Sequence, residues 1–434
     1  MSGHTVVVND CEAVAVVGGP VAVRTRDTAV GTRNFQFNYS HLAEGLPRQL
    51  TEREMDWIET LGSIFALDLA CPRGGGDMAW ARNIEAHLPV RDPDYWNANK
   101  SRIQALFADL TEDRLELHFH EDEEPADAPR QRRRPFPEHD CVSLLSGGVD
   151  SFVGTADLLS SGRRPLMVSH TAAGAISHAQ TVVEAFYSNR YDDLERIGVT
   201  ARKHGGTFPT PPEPSQRSRS LLFLGAATLV AAVGESGEVF INENGIMAIH
   251  VPMTAARAGS LSTHTASPVV MERVEALASD VLGQPLAISN GLVHMTKPEV
   301  VGHAKDLGVD GALRETVSCW AIGRTGVHCG ICAPCLMRRI SFEIHGAADA
   351  AYTDDIFEDE SVLDNDFACD NLTHMLRLLQ DVDRDSDTAL QVRYPELLNG
   401  GRDLDLTTTL EMHRRWAQEA NGLLLQKPVP RMLI

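Results

Sequence analysis

The sequence is short of several features that define particular classes of protein. Basic residues are in the minority: 39 Lys and Arg against 60 Asp and Glu give a net charge of −21, which disfavours nucleic acid as a partner. The longest apolar stretch, residues 221–233, contains a glycine and is shorter than the roughly 20 residues that a membrane span needs. The first residues show no basic segment followed by an apolar one, the pattern of a secretion signal. We therefore expect a cytoplasmic protein without a membrane partner.

Length and composition predict a globular protein of more than one domain. The chain has 434 residues, of which 43% are hydrophobic, and compact domains average about 150 residues. Segment 121–140 contains four prolines, an acidic block and a basic block but almost no apolar side chain, so we interpret it as a linker. The predicted regions are an N-terminal α+β accessory domain (1–120), the linker (121–140), an α/β domain (141–345) and a helical C-terminal extension (346–434).

Hydrophobic periodicity predicts different patterns before and after the linker. The first part contains short strands at 5–9, 13–17 and 21–24, a helix that Thr51 and Glu54 would cap, a helix at 100–110 and a strand at 114–120. The second part alternates strands at 141–145, 165–170, 238–242 and 286–289 with helices at 151–159, 219–233, 268–281 and 297–307. Such alternation is typical of a doubly wound parallel sheet. Beyond residue 339 the pattern is helical and acidic, with Leu372, Leu376 and Leu379 on one face.

The most informative segment is a glycine-containing loop between the first strand of the α/β part and the helix after it. Its residues are Ser146, Gly147, Gly148, Val149, Asp150 and Ser151. Two glycines permit a tight turn whose amides approach an anion, and the helix adds its N-terminal amides and dipole. No lysine follows the glycines, so this is not the G-x-x-x-x-G-K-[ST] nucleotide loop. The loop predicts a phosphate site, with Asp150 as a helix cap or a magnesium ligand.

Four of the eight cysteines are clustered, and the other four are scattered. Cys319, Cys329, Cys332 and Cys335 have the spacing of a tetrahedral zinc site, and four protein ligands would leave no open position. A disulfide pair, a redox C-x-x-C motif and an iron–sulfur cluster are the alternatives. We predict structural Zn²⁺ at this cluster and interpret the scattered cysteines as buried apolar side chains.

These motifs resemble those of known families. The segment SGGVDS resembles the PP-loop of ATP pyrophosphatases, which cleave ATP between its α and β phosphates and attach AMP to a carboxylate or carbonyl oxygen. TKPEVV (296–301), TVSCW (316–320) and CGICAPCLMR (329–338) resemble the C-terminal half of the 7-cyano-7-deazaguanine synthase (QueC) family. RSLLFL (219–224) is similar to a helix start of that family, with Ser220 in place of asparagine. The resemblance covers about residues 141–339 and implies a PP-loop (HUP-like) sheet with a zinc lobe.

The resemblance implies ATP and Mg²⁺ as cofactors and a deazaguanine carboxylate as substrate. Asp150, Arg219 and Lys297 are the predicted catalytic residues, the two cations facing the departing pyrophosphate. A lysine at a helix start is unfavourable to the helix dipole, and a phosphate partner would explain it. His170 ends the second strand, where α/β sheets bind ligands, and is predicted to contact adenosine. Arg338, three residues past the last clustered cysteine, is predicted to help orient the site and to belong to the substrate-binding residues.

Other segments depart from the housekeeping synthase. Glu243, Asn244 and Gly245, and a second group formed by Ser260, Ser262, Thr263, His264 and Thr265, stand where its substrate segment would be expected. Both groups, and the long N-terminal extension, resemble the QueC-like proteins of bacterial antiphage systems (Qat and type IV CBASS). That resemblance implies amide ligation of a deazaguanine to the N-terminus of a co-encoded defence protein. The alternatives are synthesis of the free nitrile with ammonia, tRNA thiolation, which the acidic charge disfavours, and a non-catalytic scaffold.

Overall fold

The structure is a computed structural model that describes residues 3–12, 14–15, 19–73, 81–130, 136–171, 174–253, 264 and 266–433. Residues 13, 16 and 17 of the predicted strand at 13–17 lie outside the described residues, as do Ser260, Ser262, Thr263 and Thr265 of the predicted substrate segment. Within the described part, the chain forms ten strands and fifteen α-helices.

The strands form two sheets. Their bounds are β1 Gly3–Val8, β2 Val21–Val23, β3 Phe35–Asn38, β4 Asn83–Val90, β5 Arg114–Glu121, β6 Cys141–Leu144, β7 Pro165–His170, β8 Arg196–Lys203, β9 Glu238–Phe240 and β10 Ala287–Ser289. The first sheet has the order β2-β1-β4-β5 and is parallel throughout. The second has the order β10-β9-β6-β7-β8-β3, in which only the edge strand β3 is antiparallel.

Helices connect and cover these sheets. Their bounds are α1 Ser40–Glu44, α2 Glu52–Ala70, α3 Pro93–Thr111, α4 Val149–Ser160, α5 Ala175–Ser188, α6 Arg219–Val233, α7 Gly245–Ile249, α8 Pro268–Leu282, α9 Lys297–Asp306, α10 Ile322–Thr325, α11 Ala333–His345, α12 Asp366–Arg384, α13 Asp387–Arg393, α14 Leu406–Leu424 and α15 Pro428–Leu433. Over the described ranges, none of them is both long and apolar enough to cross a lipid bilayer.

The α/β architecture predicted from the alternating pattern is confirmed. Strands β6 and β7 are buried at every residue, because helices cover both faces of a parallel sheet. The crossover β6–α4–β7 brings the carboxyl ends of the two strands together at one edge. Loops that follow parallel strands meet at this edge, so it is where a binding site is expected.

The N-terminal region packs directly on the second sheet. Its strand β3 pairs with β8, and helix α2 begins with the predicted capping box between Thr51 and Glu54. In the contact between α2 and α6, the indole Nε1 of Trp57 donates to the carbonyl oxygen of Gly225 over 3.0 Å. A Cβ atom on Gly225 would lie 2.0 Å from Leu61, so only glycine permits this close approach. The predicted boundary within 121–140 stays a prediction.

A buried ionic network joins the N-terminal region to the start of α6. Arg82 is fully buried and donates to Asp68 and Asp113, each over 2.6 Å. The other oxygen of Asp68 accepts hydrogen bonds from the backbone and hydroxyl of Ser218, at 3.0 and 2.8 Å. Since removing one partner of a buried ion pair costs about 3–5 kcal/mol, this network fixes the position at which α6 begins.

The C-terminal helices pack against the α/β region. Leu372, Leu376 and Leu379 on α12 are buried, as the sequence predicts. Helix α14 contacts both α12 and α9, and its Arg415 pairs with Glu299 of α9 over 2.9 Å. The extension therefore supports the helix that begins at Lys297.

Buried histidines predict a loss of stability in mild acid. His413 on α14 is buried, and burial lowers its pKa to about 4, whereas an unfolded histidine titrates near 6.5. As the pH falls, the unfolded state therefore binds a proton at a higher pH than the folded state does. The free energy of unfolding that is present above pH 6.5 consequently decreases as the pH drops toward 4. We expect His413→Phe to reduce the loss of unfolding free energy between pH 7 and pH 5 by about 2 kcal/mol in urea titrations.

The control is His178→Ala, because His178 is exposed on α5. An unchanged pH dependence in His413→Phe would contradict the assignment of acid sensitivity to this group.

Candidate active site

A cavity of about 300 Å³ opens where β6, β7 and β9 end. It falls at the lower end of the range of ligand pockets. Nine of the residues predicted at the site line it: Ser146, Gly148, Val149, Asp150, Ser151, His170, Arg219, Glu243 and Lys297. Residues from five separate segments of the sequence thus meet at one site.

The glycine loop forms a tight turn that leads into α4 and leaves the first turn of that helix without a side-chain cap from the part of the chain that the structure describes. Gly147 has φ +86°, a conformation that favours glycine. The Ser146 and Ser151 hydroxyls are 3.0 Å apart, and the amide of Gly148 donates to Ser146 Oγ over 3.3 Å. Helix α4 begins at Val149, and no side chain of the described residues caps its first turn. The loop therefore has the geometry of a phosphate site.

Asp150 and Lys297 form a buried ion pair in the cavity wall. The Lys297 Nζ is 2.7 Å from Asp150 Oδ1, and the Asn244 side chain donates to Asp150 Oδ2 over 2.8 Å. Burial by itself would raise the pKa of Asp150, but the Lys297 ammonium and these hydrogen bonds lower it below its usual value. Asp150 is therefore a carboxylate in the folded protein.

Glu243 behaves in the opposite way to its neighbour. Burial, and then the nearby Asp150 carboxylate, raise the pKa of Glu243 well above its usual value. Two carboxyl groups in one desolvated site cannot both be ionised without a compensating cation. The structure therefore places an ionised Asp150 beside a Glu243 that ionises less readily, and the Asn244 amide donates to both carboxyl groups, over 2.8 and 3.3 Å.

Arg219 is a cation that no described carboxylate pairs with in the cavity wall. It begins α6, its guanidinium lies 5.5 Å from the centre of the Phe223 ring, and its Nη1 is 3.5 Å from Gln216. Burial lowers its pKa, since desolvation disfavours the charged form. An anionic ligand at this place would relieve that cost.

His170 forms an apolar, neutral part of the wall. Its Nε2 is 2.9 Å from the carbonyl oxygen of Ala201, and its ring packs 5.2 Å from Phe223. Burial, assisted by Arg219, lowers its pKa to about 4. Because one ring nitrogen is already hydrogen-bonded to the backbone, His170 presents chiefly a face and an edge of its ring to the cavity.

Three of the predicted substrate residues are placed differently from the expectation. Asn244 caps α7 and holds Asp150, so it supports the site from behind. A Cβ atom on Gly245 would lie 2.1 Å from the carbonyl oxygen of Val293 and 2.3 Å from the sulfur of Met412, so Gly245 allows α14 to pack closely. His264 lies 5.9 Å from the ring of His250, which lines the cavity.

Arg338 also departs from its expected place, since it is absent from the described residues that line the cavity. It is fully buried and donates to Asp349 over 2.7 Å and to the carbonyl oxygens of Thr316 and Leu313 over 3.0 Å each. The physical reason is that a buried guanidinium needs several acceptors, which these groups supply. Arg338 therefore positions the 313–318 segment behind the cavity wall.

Sequence reasoning missed the contribution of the cysteine-containing lobe to the cavity. Val317, Ser318, Trp320 and Pro334 all line it, and each lies within two residues of one of the clustered cysteines. The amide of Val317 donates to the Gly147 carbonyl over 2.9 Å, which ties this lobe to the glycine loop. The available signal was the indole of Trp320 beside Cys319, because a large aromatic side chain, here 40% exposed, is common at a binding site.

The four clustered cysteines come together as predicted. Their sulfur atoms lie within 4.8 Å of one another, with Cys329–Cys335 at 3.9 Å and Cys319–Cys332 at 4.0 Å. A tetrahedral ion with bonds of 2.3 Å sets its sulfur atoms about 3.8 Å apart. Backbone amides of Ala321 and Cys329 point to Cys319 Sγ at 3.2 and 3.3 Å. The donor set therefore fits Zn²⁺.

The chain resembles proteins of known families in this half of its length. The family model of the queuosine biosynthesis protein QueC matches residues 219–346. The 7-cyano-7-deazaguanine synthase of Methylobacillus flagellatus is 31% identical over 232 residues, which are 48% of this chain and 93% of that protein. The synthases of Nitrosospira multiformis (29% over 226 residues; 46% and 90%) and Methylococcus capsulatus (28% over 237; 48% and 96%) are similar.

Fold and site together define an α/β protein of the PP-loop class with a four-thiolate lobe. The chain belongs to the 7-cyano-7-deazaguanine synthase (QueC) family, since it spans almost the full length of relatives such as that of Methylobacillus flagellatus. This confirms the family resemblance predicted from the motifs. The resemblance to the antiphage proteins stays a prediction.

The cysteine cluster predicts a measurable metal content. We expect Cys332→Ser to lose the zinc of this cluster and to lower the melting temperature, since a structural site adds binding free energy to folding. Metal analysis and thermal melting of purified protein check both effects.

Cys369→Ser is the matched control, because Cys369 is half-buried on α12, away from the cluster. A Cys332→Ser variant that kept its cluster zinc and its melting temperature would rule out the four-thiolate assignment.

Proposed function

We propose that the chain uses ATP to activate the carboxylate of 7-carboxy-7-deazaguanine and, with ammonia, converts it to 7-cyano-7-deazaguanine. The names of the similar synthases support the product, and the residues that line the cavity support the use of a nucleotide. The single observation that carries the proposal is the charge arrangement: the glycine loop, an Arg219 that pairs with no carboxylate of the described residues, and the Asp150–Lys297 pair meet in one cavity.

Each group of the cavity has a task in adenylation. The amides of the Ser146–Ser151 loop and the start of α4 would bind the phosphates of ATP. Arg219 and Lys297 would stabilise the charge that develops on pyrophosphate as it leaves the α-phosphorus. Because these cations are already desolvated, they interact with a developing charge more strongly than they would in water.

The carboxyl pair fits a magnesium ion. Asp150 and Glu243 supply the oxygen ligands that Mg²⁺ prefers. The ionised Asp150 raises the pKa of Glu243, and a nearby dication would lower that pKa by offsetting the repulsion between the two carboxylates. When bound, the ion would neutralise charge on the leaving pyrophosphate. Lys297 would keep Asp150 ionised, and Asn244 would hold its second oxygen in place.

The reaction balances in two rounds. In the first, a carboxylate oxygen of the substrate attacks the α-phosphorus of ATP and pyrophosphate leaves; ammonia then displaces AMP and loses a proton to form the amide. In the second, the amide oxygen attacks the α-phosphorus of another ATP, pyrophosphate leaves, and elimination of AMP with loss of both amide protons gives the nitrile. The neutral ring of His170 and the indole of Trp320 would pack against the planar bases.

Amide ligation to a protein is a second possible outcome of the same activation. The chain has about half its length outside the segment shared with its relatives, and this additional surface could bind a protein nucleophile. The named relatives favour nitrile synthesis, so ligation stays a prediction that the product analysis below decides.

The loop predicts a loss of activation without loss of fold. We expect Ser146→Ala to lower AMP formation about 10- to 1000-fold, because one preorganised donor at the phosphates is removed. Asp150→Asn should lower it at least as much, and chromatography of AMP measures both.

Asp157→Asn is the control, since Asp157 lies on the same helix and its exposed side chain pairs with His303. Wild-type AMP formation in both loop variants would remove the loop from the mechanism.

The product distinguishes nitrile synthesis from ligation. With 7-carboxy-7-deazaguanine, ATP, Mg²⁺ and ammonium, we expect free 7-cyano-7-deazaguanine and about two AMP per nitrile, since each round of activation consumes one ATP. Mass spectrometry of small molecules and of intact co-encoded proteins measures both products. A partner that gained a deazaguanine mass while no free nitrile formed would replace the synthase proposal by the ligation proposal.

A further inference from the structure

A cluster of histidines and glutamates lies on the N-terminal sheet, away from the cavity and the clustered cysteines. Glu85 and His87 lie two residues apart on β4, and His118 and His120 two apart on β5. The register pairs His87 directly with His118. Since alternate residues of a strand face the same side, these four side chains share one face of the sheet.

Three ligand atoms of this cluster are arranged as around an ion. The Nε2 atoms of His87 and His118 lie 3.5 and 3.6 Å from the same oxygen of Glu85. Ligands bonded to zinc at 2.0–2.1 Å in a tetrahedral shell are about 3.4 Å apart. The described residues contain two groups of potential metal ligands with all donor atoms within 4.8 Å, and this is the second.

The two ligand nitrogens make no hydrogen bond within the described part of the chain, although His118 Nε2 also lies 3.7 Å from Glu116 Oε1. His87 Nε2 and His118 Nε2 are both buried and have no hydrogen bond to any described residue. A buried polar atom without a partner costs about 1–3 kcal/mol. The nitrogens approach one carboxylate oxygen but are not hydrogen-bonded to it, so a cation among the three atoms would satisfy all of them.

A chain of contacts selects the form of His87 that binds a metal. His120 Nδ1 lies 3.4 Å from the Glu12 carboxylate, which accepts a proton, so His120 presents the lone pair of Nε2 on its other side. His87 Nδ1 lies 2.9 Å from that atom, and the form of His120 that the Glu12 contact favours makes His87 Nδ1 the donor. The lone pair of His87 Nε2 therefore faces Glu85. Metal-binding histidines commonly have such an outer partner on the second nitrogen.

The electrostatics of the cluster also favour neutral rings. The rings of His87 and His118 are stacked with centres 4.9 Å apart, so protonating both would place two positive charges in contact. Neutral imidazole is the form that coordinates a transition metal.

We propose that Glu85, His87 and His118 form a second metal site, which binds a divalent transition ion such as Zn²⁺ with the remaining position open to water. Two imidazoles and one carboxylate are a common ligand set for zinc. The Glu85 side chain is 46% exposed and leaves solvent access to the ion. The ion would join β4 to β5 independently of the PP-loop site.

The test uses the full-length protein with zinc already bound at its cysteines, titrated with Co²⁺. We expect about one Co²⁺ per chain, with the weak visible bands of nitrogen and oxygen ligands and no thiolate-to-cobalt charge transfer. His118→Gln and Glu85→Gln should each weaken binding at least about tenfold, and His120→Gln about 10- to 100-fold through its effect on His87.

Glu121→Gln and His178→Ala are the controls. Glu121 is exposed at the end of β5 and does not share the face that carries the histidines, and His178 is exposed on α5. Both control variants should therefore bind Co²⁺ as the wild type does. Circular dichroism checks the fold of each variant. If His118→Gln does not fold, the Co²⁺ affinity of Glu85→Gln decides the test. Absence of Co²⁺ binding in the wild type, equal affinity in the ligand variants, or a thiolate spectrum as the only signal would overturn the proposal.

Discussion

The buried ion pair between Asp150 and Lys297 is the constraint on which the candidate site depends. It joins the start of α4 to the start of α9, two helices that follow different strands of the second sheet. A lysine at a helix start is opposed by the helix dipole, and burial adds a desolvation cost. The negative charge of Asp150 offsets both costs. The Lys297 ammonium in turn lowers the pKa of Asp150, so that Asp150 is ionised beside the more weakly acidic Glu243.

The regions outside the shared segment hold this arrangement in place from two sides. Asp68 of α2 accepts two hydrogen bonds from Ser218, directly before Arg219, while Arg415 of α14 pairs with Glu299 in the first turn of α9. Both cations of the cavity therefore begin helices that are fixed by residues distant in sequence. The N- and C-terminal regions contribute to the geometry of the site as well as adding surface.

Sequence alone predicted what local spacing determines. The capping box of Thr51, the strand at 165–170, the helix at 219–233 and the cysteine cluster all follow from short-range patterns. Strand β3 was not predicted although Phe35 and Phe37 alternate with polar residues, because a segment of four residues becomes a strand only by pairing with β8. The helix α5 and strand β8 were missed as well.

The place of Arg338 and Gly245 could not be predicted, since it depends on distant partners. Asp349 and the 313–318 carbonyls account for Arg338, and Met412 of α14 accounts for Gly245. A residue of a binding motif can therefore line a cavity or support its wall, and the packing of distant segments determines which.

Arg219 differs from Arg338 in that no described carboxylate pairs with its charge. The fold therefore retains a desolvation cost that an anionic ligand would offset. A phosphate group that bound beside such a desolvated cation would be held more strongly than its hydrogen bonds alone would provide, because its binding would also remove the desolvation cost of the cation.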